Sequence, residues 1–129
     1  MNASLKLGLL LAVCASVPAF AQGVPRRVGQ CVNTTIKAVE TRLMDSQTNQ
    51  SIPDSGSAVS FANGLYQVSY DTIPAIVKSQ AGDAVKICLI SIPKGCPKGD
   101  NRGKKYATTN LRTGATWRLF DSEHLCGGA

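Results

Sequence analysis

The chain has 129 residues, of which 43% are hydrophobic and 17% charged, and Lys plus Arg outnumber Asp plus Glu by 14 to 8. That size excludes a multi-domain enzyme, a dinucleotide-binding unit with a partner domain, and a multi-pass membrane protein. The apolar content also excludes a disordered polar chain.

Residues 1–21, MNASLKLGLLLAVCASVPAFA, read as a signal peptide. Lys6 supplies the positive start. Leu7 to Val17 is an apolar run shorter than the roughly 20 residues that span a bilayer. Pro18 breaks that run, and Ala19-Phe20-Ala21 offers the small-x-small pattern for cleavage after Ala21. Cys14 follows Val13, a poor fit to a lipidation site, and reads as a small apolar residue of the run. The expected mature chain, 22–129, is periplasmic or secreted and has no transmembrane segment. Asn33-Thr34-Thr35 matches a glycosylation sequon, which matters only in a eukaryotic secretory pathway.

Cys31, Cys88, Cys96 and Cys126 remain after cleavage. An even set in a small exported domain implies disulfides, with three possible connectivities. The short loop around Pro93-Lys94-Gly95 favours Cys88–Cys96, leaving Cys31–Cys126 to join the two ends of the domain. A zinc site is disfavoured, because there is no C-x-x-C pair and His124 is the only histidine.

Gln22–Gln30 reads as a flexible basic lead-in carrying Arg26 and Arg27. Cys31–Met44 is rich in β-branched residues and favours a strand. Asp45–Gly56 collects Ser, Gln, Asn, Pro and Gly and reads as an exposed loop. Ala58–Phe61 and Tyr66–Tyr70 flank Asn63-Gly64, which predicts a hairpin with a type I′ turn. Tyr66, Val68 and Tyr70 then share one face, with Gln67 and Ser69 on the other. One or two helical turns are expected around Pro74–Val77. Ala84–Pro93 reads as a central strand. Pro93–Gly103 is a loop, and Lys104–Asn110 with Thr116–Phe120 forms a second hairpin. The fold class is all-β, a five- or six-stranded barrel or rolled sheet with two disulfides. The alternative is an α+β layout with one helix near Thr34–Leu43.

Three stretches carry a resemblance: SGSAVSFANGLYQVSYD (55–71), GDAVKICLISIPKGCPKGDNRG (82–103) and YATTNLRTGATWRLFDSEHLCGGA (106–129). Together they cover most of the mature chain, which resembles a family of small exported alphaproteobacterial proteins ending in Cys-Gly-Gly-Ala. The resemblance implies signal-directed export of a single domain. It also implies a second Pro in the loop after Cys96, where Lys98 stands here, and it carries over no catalytic residue.

Few residues suggest chemistry. A Ser–His–Asp arrangement would have to use His124 and Asp121, but no G-x-S-x-G elbow exists. A small secreted ribonuclease would recruit Glu123 and His124 as base and acid, with Arg112 and Arg118 as cations. Asp71, Asp83 and Asp100 sit at turn positions, where carboxylates bond the local backbone. No phosphate loop or dinucleotide fingerprint occurs, so no cofactor is indicated.

The most concentrated charge is Lys94, Lys98, Arg102, Lys104 and Lys105, interrupted only by Asp100. These five are the anion-binding candidates. The expected function is a non-enzymatic binding or envelope-associated protein that takes an anionic partner through this basic loop. An inhibitor of a lysozyme-like hydrolase is a second expectation, and the ribonuclease a third. Nucleic acid is not an expected partner, because a stacking platform needs exposed aromatics among the cations.

Overall fold

The computed structural model describes Gly8, residues 11–14 and residues 23–128. The expected cleavage site after Ala21 lies outside the described residues. Cys14 is exposed and unpaired.

Six strands and one short helix follow in order: β1 (Cys31–Thr41), β2 (Ser57–Phe61), β3 (Tyr66–Ser69), α1 (Pro74–Val77), β4 (Ala84–Ser91), β5 (Lys105–Asn110) and β6 (Thr116–Phe120). They close into a barrel in the order β1-β2-β3-β6-β5-β4, with every pairing antiparallel. The all-β barrel expected from the short strands is the observed architecture. Residues 34–41 are strand and 42–43 are not helical, so the helical alternative there is excluded.

Closure depends on β1. Its first half, from Cys31 to Thr35, pairs with β4, and its second half, from Ile36 to Thr41, pairs with β2. A register shift between Ile36 and Ala38 separates the halves. Such a bulge bends a strand and raises its twist, so one strand can serve both sides of a barrel corner.

Alternation fills the interior. Val32, Ile36, Val59, Phe61, Val85, Ile87, Leu89, Tyr106 and Trp117 form one buried cluster, which Leu65 and Ile76 complete. Ile76 comes from α1, which packs against β2 and β6. The β2–β3 hairpin forms as expected, but its turn differs. Gly64 has φ 88°, whereas Asn63 is not left-handed. Gly64 N–H donates to the Phe61 carbonyl at 3.0 Å and Phe61 N–H donates to the Leu65 carbonyl at 2.9 Å. A three-residue loop with one left-handed glycine therefore replaces the two-residue turn.

The inward position on β3 is polar. Gln67 is fully buried, and all four of its amide hydrogen-bonding positions are used. Its Nε2 donates to the carbonyls of Tyr106 at 3.0 Å and Leu119 at 3.1 Å. Its Oε1 accepts from the Thr108 hydroxyl at 2.6 Å and the Trp117 indole N–H at 2.9 Å. The strands β3 and β6 pair at one position only, Val68 opposite Phe120. Gln67 thus ties β3 to β5 and β6 from inside, where the main-chain ladder is shortest.

The disulfides correct the expected pairing. They are Cys31–Cys88 and Cys96–Cys126. Because β1 and β4 are neighbours, Cys31 lies directly opposite Cys88 with Cα atoms 4.0 Å apart. Cys96 lies beyond the end of β4 in the following loop and meets the tail instead. Loop length alone does not reveal which strands are neighbours.

The segment ahead of β1 is mostly exposed and meets the barrel where Gly29 N–H donates to the Leu89 carbonyl at 2.8 Å. Pro25 is fully buried. The Gln30 side chain accepts from the N–H groups of Arg26 at 2.8 Å and Arg27 at 3.3 Å.

Candidate functional site

The five basic-loop candidates divide into different environments. Arg102 is engaged in structure: its Nε and Nη2 donate to the two Asp100 oxygens at 3.0 and 2.9 Å. Nη2 also donates to the Gly128 carbonyl at 3.0 Å. Asp100 in turn accepts from Gly127 N–H at 3.0 Å. The Arg102 guanidinium, followed by the Gly127 N–H, holds the Asp100 carboxyl well below the usual carboxylate range. Together with Cys96–Cys126, these bonds fasten the 121–128 tail onto the 93–103 loop. Asp121 adds two more ties, accepting from Gly103 N–H at 2.9 Å and donating its own N–H to the Lys104 carbonyl at 3.0 Å.

The remaining cations lie on or beside this platform. Lys94 and Lys98 are exposed and make no hydrogen bond or ion pair among the described residues. The Lys104 ammonium donates to the Asn101 carbonyl at 3.5 Å. Lys105 opens β5 and turns to the outer sheet face, where its ammonium lies 5.2 Å from the centre of the Phe120 ring.

That outer face carries the second part of the site. Strand register places Glu40, Ala58, Val68, Phe120 and Lys105 in one row across β1, β2, β3, β6 and β5. Alternation adds Tyr66 on β3 and Arg118 on β6 to the same face, with Tyr70 just past the end of β3. A groove of about 270 Å³ opens here, lined by Tyr70, Asp71, Lys105, Arg118, Phe120 and Glu123 among others. Three of the six aromatic residues beyond residue 21 stand on this face, with Tyr70 56%, Tyr66 38% and Phe120 36% exposed. The other three are buried in the barrel, so the exposed ones form a cluster and are not scattered singly.

The groove wall is held in place. The Arg42 guanidinium lies 4.3 Å from the Tyr70 ring centre. Its Nε donates to the Ser55 carbonyl at 2.6 Å and its Nη1 to Glu123 at 3.3 Å. Gly56, with φ 111°, passes close beneath: a Cβ there would stand 2.1 Å from the Ser69 carbonyl oxygen. Burial, then Glu123 and Glu40, push the Tyr66 hydroxyl up from its ordinary value.

The ribonuclease set is only partly brought together. Arg118 and Glu123 line one groove, and His124 is exposed in the adjoining tail. Arg112 lies at the far end of the β5–β6 hairpin, a strand length of roughly 17 Å away. There it forms a second structural ion pair, with Nε and Nη2 donating to Asp83 at 2.5 and 2.9 Å. Asp83 is buried and also accepts from the Asn110 amide at 2.9 Å. The Arg112 contact, followed by Asn110, holds the Asp83 carboxyl well below the usual range. Glu123 is paired with Arg42. Among the described residues, no group of three or more His, Cys, Asp or Glu could hold a metal ion, and no helix is long and apolar enough to cross a membrane.

Sequence reasoning grouped Tyr66, Val68 and Tyr70 on one face but did not bring Phe120 to it or place Arg42 against Tyr70, because both depend on which strands become neighbours. No family model, curated protein or solved structure matches the chain.

Proposed function

We propose that this chain is an exported, non-enzymatic binding protein whose working surface is the outer groove beside β3 and β6, and that its partner is anionic. One observation carries this reading: Lys105 and Arg118 share a groove with exposed aromatic rings. Arg118 makes no ion pair among the described residues. The fastened loop bearing Lys94, Lys98 and Lys104 continues the positive surface, so the groove need not supply all the attraction. Two disulfides support an oxidising compartment, as does the leader-like sequence of residues 1–21. Exported protein should begin at Gln22, and a mass that retains Met1 would refute processing.

The test is retention on a carboxylated matrix along a salt gradient. Lys105→Glu with Arg118→Glu is compared with Lys37→Glu and Lys86→Glu, two exposed lysines on β1 and β4. Both double variants change net charge equally. The groove variant should elute at markedly lower salt, because exposed charge pairs act locally and are screened beyond about 8–10 Å. Equal elution of the two variants would refute a localised site.

A further inference from the structure

We infer that the groove takes an acidic saccharide, a sugar chain carrying carboxylates such as a polyuronate. This inference deepens the anionic-partner reading and rests on it.

Ring chemistry comes first. A pyranose is amphipathic, with hydroxyls around its rim and one face of C–H bonds. That face is apolar and flat, and it covers an aromatic ring while leaving the hydroxyls outward. Tyr70 and Phe120 present rings to solvent on the groove wall. Tyr70 is already fixed by Arg42, which Ser55 and Glu123 hold in turn. A ring fixed before binding loses little freedom on binding, which favours affinity.

The polar groups then discriminate among anions. The groove lining mixes signs: Lys105 and Arg118 stand with Asp71 and Glu123, and Ser69 and Ser122 add hydroxyls. A ligand with a charge on every unit and no donors, such as polyphosphate, gains from the cations and is repelled by the carboxylates. An acidic sugar uses both signs. Its carboxylate meets the guanidinium fork of Arg118 or the Lys105 ammonium. Its hydroxyls donate to carboxylate oxygens, which are acceptor-only groups.

Size agrees with this reading. About 270 Å³ is below the roughly 300–1,000 Å³ of sites that enclose drug-sized molecules. The space suits one or two sugar rings of a longer chain, and that chain can continue toward Lys94 and Lys98 on the neighbouring platform.

Calorimetric titration of residues 22–129 would use four probes: a short oligogalacturonate, its methyl ester, inorganic polyphosphate, and phosphatidylglycerol vesicles. The oligogalacturonate should bind most tightly, and esterification should weaken binding roughly tenfold by removing the charge. Tyr70→Ala should weaken oligogalacturonate binding by a similar factor, while Tyr70→Phe stays close to wild type. Phe120→Ala provides an independent ring removal, and an unchanged melting temperature verifies each fold. Polyphosphate or vesicle binding as tight as the oligogalacturonate, or indifference of the sugar to both ring removals, would overturn the saccharide inference and leave the anionic groove standing. If none of the anions bound, both readings would fall.

Discussion

Replacing Gln67 with Leu tests whether a side chain closes this barrel. The substitution nearly keeps volume but removes two acceptor and two donor positions from a site with 1% exposure. The Trp117 indole N–H and the Thr108 hydroxyl lose their shared acceptor, Oε1. A buried polar group left without a partner costs about 1–3 kcal/mol. The Thr108 hydroxyl can rotate toward another acceptor, whereas the indole N–H direction is fixed by the packed ring. The expected total is therefore about 2–5 kcal/mol. That is a large part of the roughly 5–15 kcal/mol available to a small domain. Trp117 is the only tryptophan, so its fluorescence during urea unfolding reports the site directly. Gln67→Glu separates hydrogen bonding from volume. It keeps two acceptors but sets a carboxyl against the Tyr106 and Leu119 carbonyls, so its folded pKa should rise above the unfolded value near 4.3. Stability of this variant should be fullest below that unfolded value and should fall as pH rises through the folded one. A Gln67→Leu protein within about 0.5 kcal/mol of wild type would refute the closure argument, provided its denaturant slope is unchanged.

The remaining expectations concern the groove floor and the structural pairs. Gly56→Ala should destabilise by about 2 kcal/mol or more, since its left-handed backbone and the close Ser69 carbonyl both oppose a Cβ. Thermal melting checks this, and a variant with an unshifted melting temperature would mean that the β3 end yields easily. Asp83 and Asp100 have depressed pKa values, so their contribution to stability is present above the unfolded value near 3.9 and is lost as pH falls through the folded one. Asp83→Asn should therefore flatten the acid limb of a stability–pH curve, and an unaltered limb would exclude the Arg112 pair as its source. Replacing Cys96 and Cys126 by Ser opens a loop of 30 residues, for which chain entropy predicts a loss of about 3–4 kcal/mol. Denaturant titration of the oxidised double variant measures it, and a loss below about 1 kcal/mol would show that the Arg102–Asp100 contacts hold the tail without the bridge.

The strands were readable because their residue types agree with their state. The β-branched run from Val32 to Thr41 and the two glycine-bearing turns marked most of the barrel. Register was not readable, since it depends on which strands become neighbours, and the cysteine pairing went astray with it. On β3 the alternation grouped the residues correctly, but Gln67 takes the barrel interior and satisfies its whole amide there, while on the opposite face Val68 is buried and Tyr66 and Tyr70 are left exposed. The basic run was visible as charge. Its division was not, because only the folded tail engages Arg102, and only the direction of β5 turns Lys105 toward the groove.

The two disulfides also have a topological consequence. Their spans, 31–88 and 96–126, follow one another without overlapping. The covalent molecule is therefore two rings in series, joined by residues 89–95. A single peptide cut inside either ring leaves one connected molecule until it is reduced. A cut in the link does not, and Lys94 is exposed there as a target for a trypsin-like protease. Such a cut would leave β1 to β4 in one piece and β5 with β6 in the other, held together only by non-covalent contacts: strand pairing, the shared core, the Gln67 hydrogen bonds and the Arg112–Asp83 and Arg42–Glu123 ion pairs. The link is thus the natural place to divide the protein into two complementing halves.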